Sequence, residues 1–171
     1  MDNDYLPEFC VKPVLILGCG NILFGDDGFG PAVVRHLYEH YTIPRNVCLI
    51  DAGTGVRNIL FTLALSEKRP EEIIIIDAVD KGLQPGELFE ISIDDIPFEK
   101  ADDFSMHQAP TSNLLKEMKE RCNVTVRVLA CQVAAIPEEM HSGLSGPLER
   151  AVPLLSYKIS AEYFNPCPGG E

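Results

Sequence analysis

Basic side chains are scarce in this sequence: 14 Lys and Arg stand against 26 Asp and Glu, a formal net charge of −12 over 171 residues. The deficit excludes the basic patch that nucleic acid or an anionic membrane surface requires. No apolar run approaches the length that spans a bilayer, so membrane insertion is not expected. The start, "MDNDYLPEFC", lacks the basic and apolar regions of a signal peptide. No CxxC pair occurs among the six cysteines (10, 19, 48, 122, 131 and 167), and most sit inside apolar runs. They read as reduced, buried thiols of a cytoplasmic protein, not as a disulfide framework. The chain also lacks a linker, an internal repeat and a domain boundary, and its length suits one domain with a real core.

What is present is a succession of buried-strand and helix signals. "VLILG" (14–18), "VCLID" (47–51) and "IIIID" (73–77) are continuous apolar runs of strand length. Between them, Val33, Val34, Leu37, Tyr38 and Tyr41, then Leu60, Leu63 and Ala64, recur at helical spacing. Strands apolar on both faces and separated by helices predict a parallel sheet covered on each side. "GLQPGELFEISI" follows the third strand without an intervening helix, which predicts an antiparallel edge strand. A helix is expected from about Ser112, a last strand over 124–133, and a final helix that Pro153 should kink. Residues 1–12 and 165–171 are expected to be flexible tails, and the acidic stretch 94–107 to be mobile until substrate binds.

The loop "LGCGNILFGDDGFG" (17–30) sits where a phosphate cradle would. It fails both nucleotide fingerprints. Leu23 occupies the third glycine position of G-x-G-x-x-G, and Asp26 and Asp27 stand where a P-loop needs Lys and Ser/Thr. Two carboxylates repel a pyrophosphate, so no nucleotide is expected. One of the two aspartates suffices to cap the following helix. The other is then free at the carboxyl end of the first strand, where open parallel sheets place their ligands. Asp51 and Asp77 end the second and third strand runs and are expected at the same edge, although aspartate also simply starts loops.

His107, in "DFSMHQAPTS", precedes the helix from Ser112 and would approach that crevice if the helix packs on the sheet. Two carboxylates and one imidazole suit a borderline divalent metal such as nickel, zinc or manganese. A competing arrangement is "HLYEH" (36–40), which fits the H-x-x-E-H zinc protease pattern, with His36 and His40 as ligands and Glu39 as general base. The helix's apolar stripe excludes these positions, so they are expected to face solvent, some 15–20 Å from the crevice for His40. No G-x-S-x-G elbow is present, and neither Cys19 nor Cys131 has a basic neighbour in sequence to activate it.

"GCGNILFGDDGFGP", "DAGT", "IIIIDAVDKGLQPGELFEI" and "MHQ" occur in an order and spacing that resemble the nickel–iron hydrogenase maturation endopeptidases over about residues 13–155. The methanogen deazaflavin-reducing hydrogenase subgroup is a candidate within that family. The resemblance implies a single α/β domain over 1–171: three layers, α/β/α, around a twisted, mostly parallel five-stranded sheet carrying one antiparallel strand. It also implies a metal site of Asp27, Asp77 and His107, with Asn21, Asp26, Asp51 and Gly53 supporting the crevice. The implied reaction removes a C-terminal extension from the large-subunit precursor of a nickel–iron hydrogenase once nickel is loaded. The metal is then the substrate's nickel, with zinc or cadmium as alternative occupants. The hydrolytic chemistry stays open between a metal-polarised carbonyl or water and general-base attack by an aspartate, as in an aspartyl-type peptidase, with Asp27 and Asp77 as the candidates. Two other functions compete: a nickel-binding maturation chaperone that does not cleave, and the H-x-x-E-H zinc protease.

Overall fold

The computed structural model describes residues 6–95 and 111–165. Five strands form one sheet in the order β2-β1-β3-β5-β4. These are β1 (Val14–Cys19), β2 (Val47–Gly53), β3 (Glu72–Val79), β4 (Leu88–Ile91) and β5 (Thr125–Gln132). β1, β2, β3 and β5 are parallel, and β4 pairs antiparallel with β5 through Leu88↔Cys131 to Ile91↔Val128. The expected mixed sheet with a single antiparallel edge is therefore what forms. The connection through Pro85 and Gly86 is too short for a crossover helix, so β4 can only return antiparallel.

Side chains alternate across the sheet and divide the interior in two. On one face Ile16, Leu49, Ile74, Ile76 and Leu129 pack under α2 (Phe29–His40) and α5 (Gly146–Ile159). On the other, Leu15, Leu17, Ile73, Ile75 and Val128 pack under α3 (Val56–Leu65) and α4 (Thr111–Cys122). Ile73 to Ile76 are all at most 3% exposed, which is why this strand reads as an unbroken apolar run. α5 continues through Pro153 to Ile159 and widens into a π turn over Ser160–Phe164.

At the amino end, where a flexible tail over 1–12 was expected, Glu8–Val11 form one helical turn, α1. Cys10 anchors it by burial in the α3/α4-side core. The stretch expected to be mobile (94–107) lies almost wholly outside the described residues, as do 166–171 of the expected C-terminal tail. His107 lies outside them as well. Among the described residues no helix is long and apolar enough to cross a membrane, and Cys10, Cys19, Cys48, Cys122 and Cys131 are free thiols.

Candidate functional site

The carboxyl edge of the sheet carries the glycine-rich loop, and its glycines serve close packing. Gly20 has φ of +123°, and a Cβ there would fall 1.8 Å from the Asp27 carbonyl oxygen. Gly30 lies so close to β1 and β3 that a Cβ would meet the Cys19 and Ile76 carbonyl oxygens at 2.3 and 2.4 Å. The start of α2 is thereby drawn onto the strand ends. Before it, Gly25–Gly28 make a 3-10 turn that holds both aspartates.

The two aspartates have different partners. Asp27 Oδ2 accepts the Asn21 N–H at 2.8 Å, and Asn21 Oδ1 accepts the Leu23 N–H at 3.0 Å. Asp26 is 1% exposed. Its Oδ1 accepts the Ser145 N–H at 2.7 Å, and its Oδ2 accepts the Ala134 N–H at 2.8 Å and the Ser145 hydroxyl at 2.9 Å. Two backbone bonds reinforce this tie, Gly25 N–H to the His141 carbonyl and His141 N–H to the Leu23 carbonyl. Neither aspartate caps α2, contrary to expectation. The cap position is Gly28, with no side-chain bond, because both acids lie inside the preceding 3-10 turn. Asp26 instead fastens the loop after β5 to the loop after β1.

Asp77 lies within β3, opposite Ala130 of β5, and is 1% exposed. Its Oδ1 accepts the Ala78 N–H at 2.8 Å, while its Oδ2 is buried with no hydrogen-bond partner among the described residues. Burial pushes its carboxyl well above the usual carboxylate range, and the nearby Asp27 carboxylate pushes it further. The thiol of Cys19 reports the same crowding. It is driven well up by burial and then by Asp77, Asp51 and Asp27 in turn, so it is no activated nucleophile.

Asp51 was expected at the same edge as Asp27 and Asp77, and it lies there, near the end of β2. Alternation nevertheless puts it on the α2 face with Val47 and Leu49, whereas Asp77 shares the α3/α4 face with Ile73 and Ile75. Its Oδ1 accepts the Gly53 N–H at 3.0 Å, an Asx turn. Gly53 takes φ of +51° there, and its carbonyl accepts the Gly20 N–H at 3.0 Å. Asp51 and Gly53 thus shape the glycine loop from the β2 side.

A further residue went unnoticed in the sequence. Gln132, 3% exposed at the end of β5, accepts the Lys81 and Leu83 N–H groups on Oε1 at 2.8 and 3.1 Å. Its Nε2 donates to Asp80 Oδ1 and to the Val133 carbonyl, each at 3.0 Å. That hydrogen bond, with one from the Gly82 N–H, lowers the Asp80 pKa. The signal was a lone amide closing the apolar run "VLAC", a polar group that burial obliges to find partners.

The H-x-x-E-H residues do not form a metal site. The His36 and His40 rings stack at 4.1 Å between centroids, 16° from parallel. Ring lone pairs lie in the ring planes, so near-parallel stacked rings do not converge on one ion. His40 and Glu39 are exposed as expected, but His36 is half-buried, and burial lowers its pKa. Among the described residues no group of three His, Cys, Asp or Glu side chains is placed to hold a metal ion. Asp27 and Asp77 nevertheless offer a carboxylate pair with one buried oxygen unsatisfied, which suits a cation.

With this geometry in hand, comparisons become informative. The profile of the hydrogenase maturation protease family matches residues 31–162. The delta subunit of coenzyme F420 hydrogenase from Methanothermobacter thermautotrophicus is 38% identical over 144 residues, covering 82% of this chain and 87% of that protein. The hydrogenase expression/formation protein HupD of Rhodobacter capsulatus is 31% identical over 153 residues, covering 86% and 71%. The solution structure of the endopeptidase HycI from Escherichia coli has a TM-score of 0.68 at 28% identity, covering 88% of this chain and 90% of that one.

Proposed function

This chain belongs to the hydrogenase maturation protease family and is an endopeptidase of hydrogenase maturation, and we propose that it removes a C-terminal extension from the nickel-loaded large-subunit precursor of a nickel–iron hydrogenase. The observation that carries this reading is the buried Oδ2 of Asp77 beside Asp27, which has no hydrogen-bond partner among the described residues. A carboxylate oxygen without a donor is costly inside a protein. It becomes useful when a cation arrives, and here the cation is the nickel of the substrate. Asp27, Asp77 and His107 are the proposed ligands, with zinc or cadmium as surrogate occupants.

Asn21 holds Asp27 through its backbone N–H, Asp26 fixes the loop after β5, and Gln132 fixes the loop after β3. These contacts keep the pair's geometry ready before substrate binds. Burial disfavours the charge of Asp77, and a cation beside it offsets that cost. Precursor with nickel therefore gains an interaction here that nickel-free precursor lacks. Hydrolysis adds one water across the peptide bond and leaves a new carboxylate on the large subunit and a new amine on the released peptide. Asp27 and Asp77 are the candidates to handle its protons. The similarity to an F420 hydrogenase subunit supports a deazaflavin-reducing hydrogenase as the partner, and the free thiols suit a reducing cytoplasm.

The test is intact mass of a large-subunit precursor before and after incubation, with and without nickel. Loss of a C-terminal peptide from the loaded form alone is expected. A stable complex without any mass loss would overturn cleavage in favour of a nickel-checking chaperone.

A further inference from the structure

The Gly25–Gly28 turn has a second side. A cavity of about 460 Å³ runs along α2 from Gly28 to Glu39, and the 142–144 loop and α5 line its other side. Pro31, Ala32, Leu144 and Val152 give it an apolar floor, and Asp51 enters it from β2. The eleven residues from Gly28 to Glu39 span about 16 Å at a helix's rise, the length of roughly five residues of extended chain. Its charged groups are three carboxylates, Asp51, Glu39 and Glu149, against one guanidinium, Arg35. Among the described residues none of these four makes an ion pair.

We infer that this groove holds the precursor's C-terminal extension, as an extended segment with an apolar side chain on the floor and a basic one facing the carboxylates. The inference rests on the cleavage reading above. A chain cut at Asp27 and Asp77 must continue past them, and the groove is lined by Gly25 and Gly28, the residues on either side of the Asp26–Asp27 pair. Continuity gives the path, and the net negative lining gives the sign of the occupant. The groove takes the part that leaves, while the Asp27–Asp77 crevice takes the nickel of the part that stays. Asp51 lines this channel while its charge also reaches Cys19 at the crevice.

The experiment replaces the two helix-borne acids of the groove together, Glu39→Lys with Glu149→Lys. A control carries the same charge change at the opposite end of the strands, Glu67→Lys with Glu120→Lys. Cleavage of nickel-loaded precursor is followed by intact mass. KM is expected to rise about tenfold in the groove variant with kcat within about twofold, and both constants to stay within about twofold in the control. A fluorescein-labelled synthetic peptide of the extension should bind wild type and control in anisotropy and lose binding to the groove variant. Unchanged KM in the groove variant, equal losses in both variants, or equal peptide binding by wild type and groove variant would each overturn the inference. Should wild type cleave no precursor, the proposed function fails by itself, and the peptide anisotropy alone then decides the groove.

Discussion

Asp26 and Asp77 are each 1% exposed at the same end of the sheet, yet their surroundings differ completely. Asp26 accepts from two backbone N–H groups and a hydroxyl at 2.9 Å or less. Asp77 accepts from its own neighbour's N–H, and its second oxygen meets nothing among the described residues. A saturated buried carboxylate has no capacity left for a ligand and acts as a fastener between loops. An unsaturated one keeps its capacity for whatever arrives, at a cost in stability. Burial alone therefore does not mark a functional acid; the unfilled lone pairs do.

The sharpest way to break this contrast is to exchange the roles by substitution. Asp26→Ala strips the Ala134 and Ser145 donors of their acceptor. It is expected to cost about 3–5 kcal/mol, a fall in Tm of about 10 °C by calorimetry. Asp77→Asn should do the reverse to stability while removing function. Cleavage is expected to fall at least about 100-fold, near 2.7 kcal/mol, whereas the metal-free protein gains about 1 kcal/mol, or roughly 3 °C.

The sign follows from the raised carboxyl. With its folded pKa above the unfolded one, Asp77 favours the native state below the unfolded value and loses that contribution as pH climbs through the folded value. The Tm advantage of Asp77→Asn over wild type should therefore grow between pH 4 and pH 8. A constant difference, or a destabilised variant, would show that Oδ2 is satisfied after all.

A milder test concerns the other fastener. Gln132→Ala orphans the Lys81 and Leu83 N–H groups, for about 1–3 kcal/mol. It should lower kcat more than it raises KM, because the loosened loop follows Asp77 and does not touch the extension's groove. Smallest of all is His40→Ala, outside both regions and exposed. Its stability should change by less than about 0.5 kcal/mol, with cleavage unaltered, where the zinc protease reading requires its loss.

The strands, the antiparallel edge and the carboxylates at the strand ends were legible because each is a local pattern: an apolar run, a missing helix, an acid where the run stops. The face that Asp51 occupies was not legible. When both faces of a strand are apolar, alternation carries no label for which is which. The Asp26 clamp was hidden for another reason. Its partners lie 108 and 119 residues away, and no spacing rule spans such a distance. Capping was the nearest local explanation for an aspartate before a helix, and a 3-10 turn displaced it. Gln132 could have been suspected from its position but not given its partners.

The clamp at Asp26 also sets an order of events during synthesis. Its carboxylate leaves the ribosome early and its hydroxyl partner on Ser145 late, after β5 and the loop beyond it. Until then the Asp26 carboxylate in the loop after β1 lacks its Ser145 donors. Contacts so distant in sequence are slow to close, because loop-closure entropy is paid before they reward it. The edge that carries Asp27 and Asp77 is therefore braced only once the segment through Ser145 has been made.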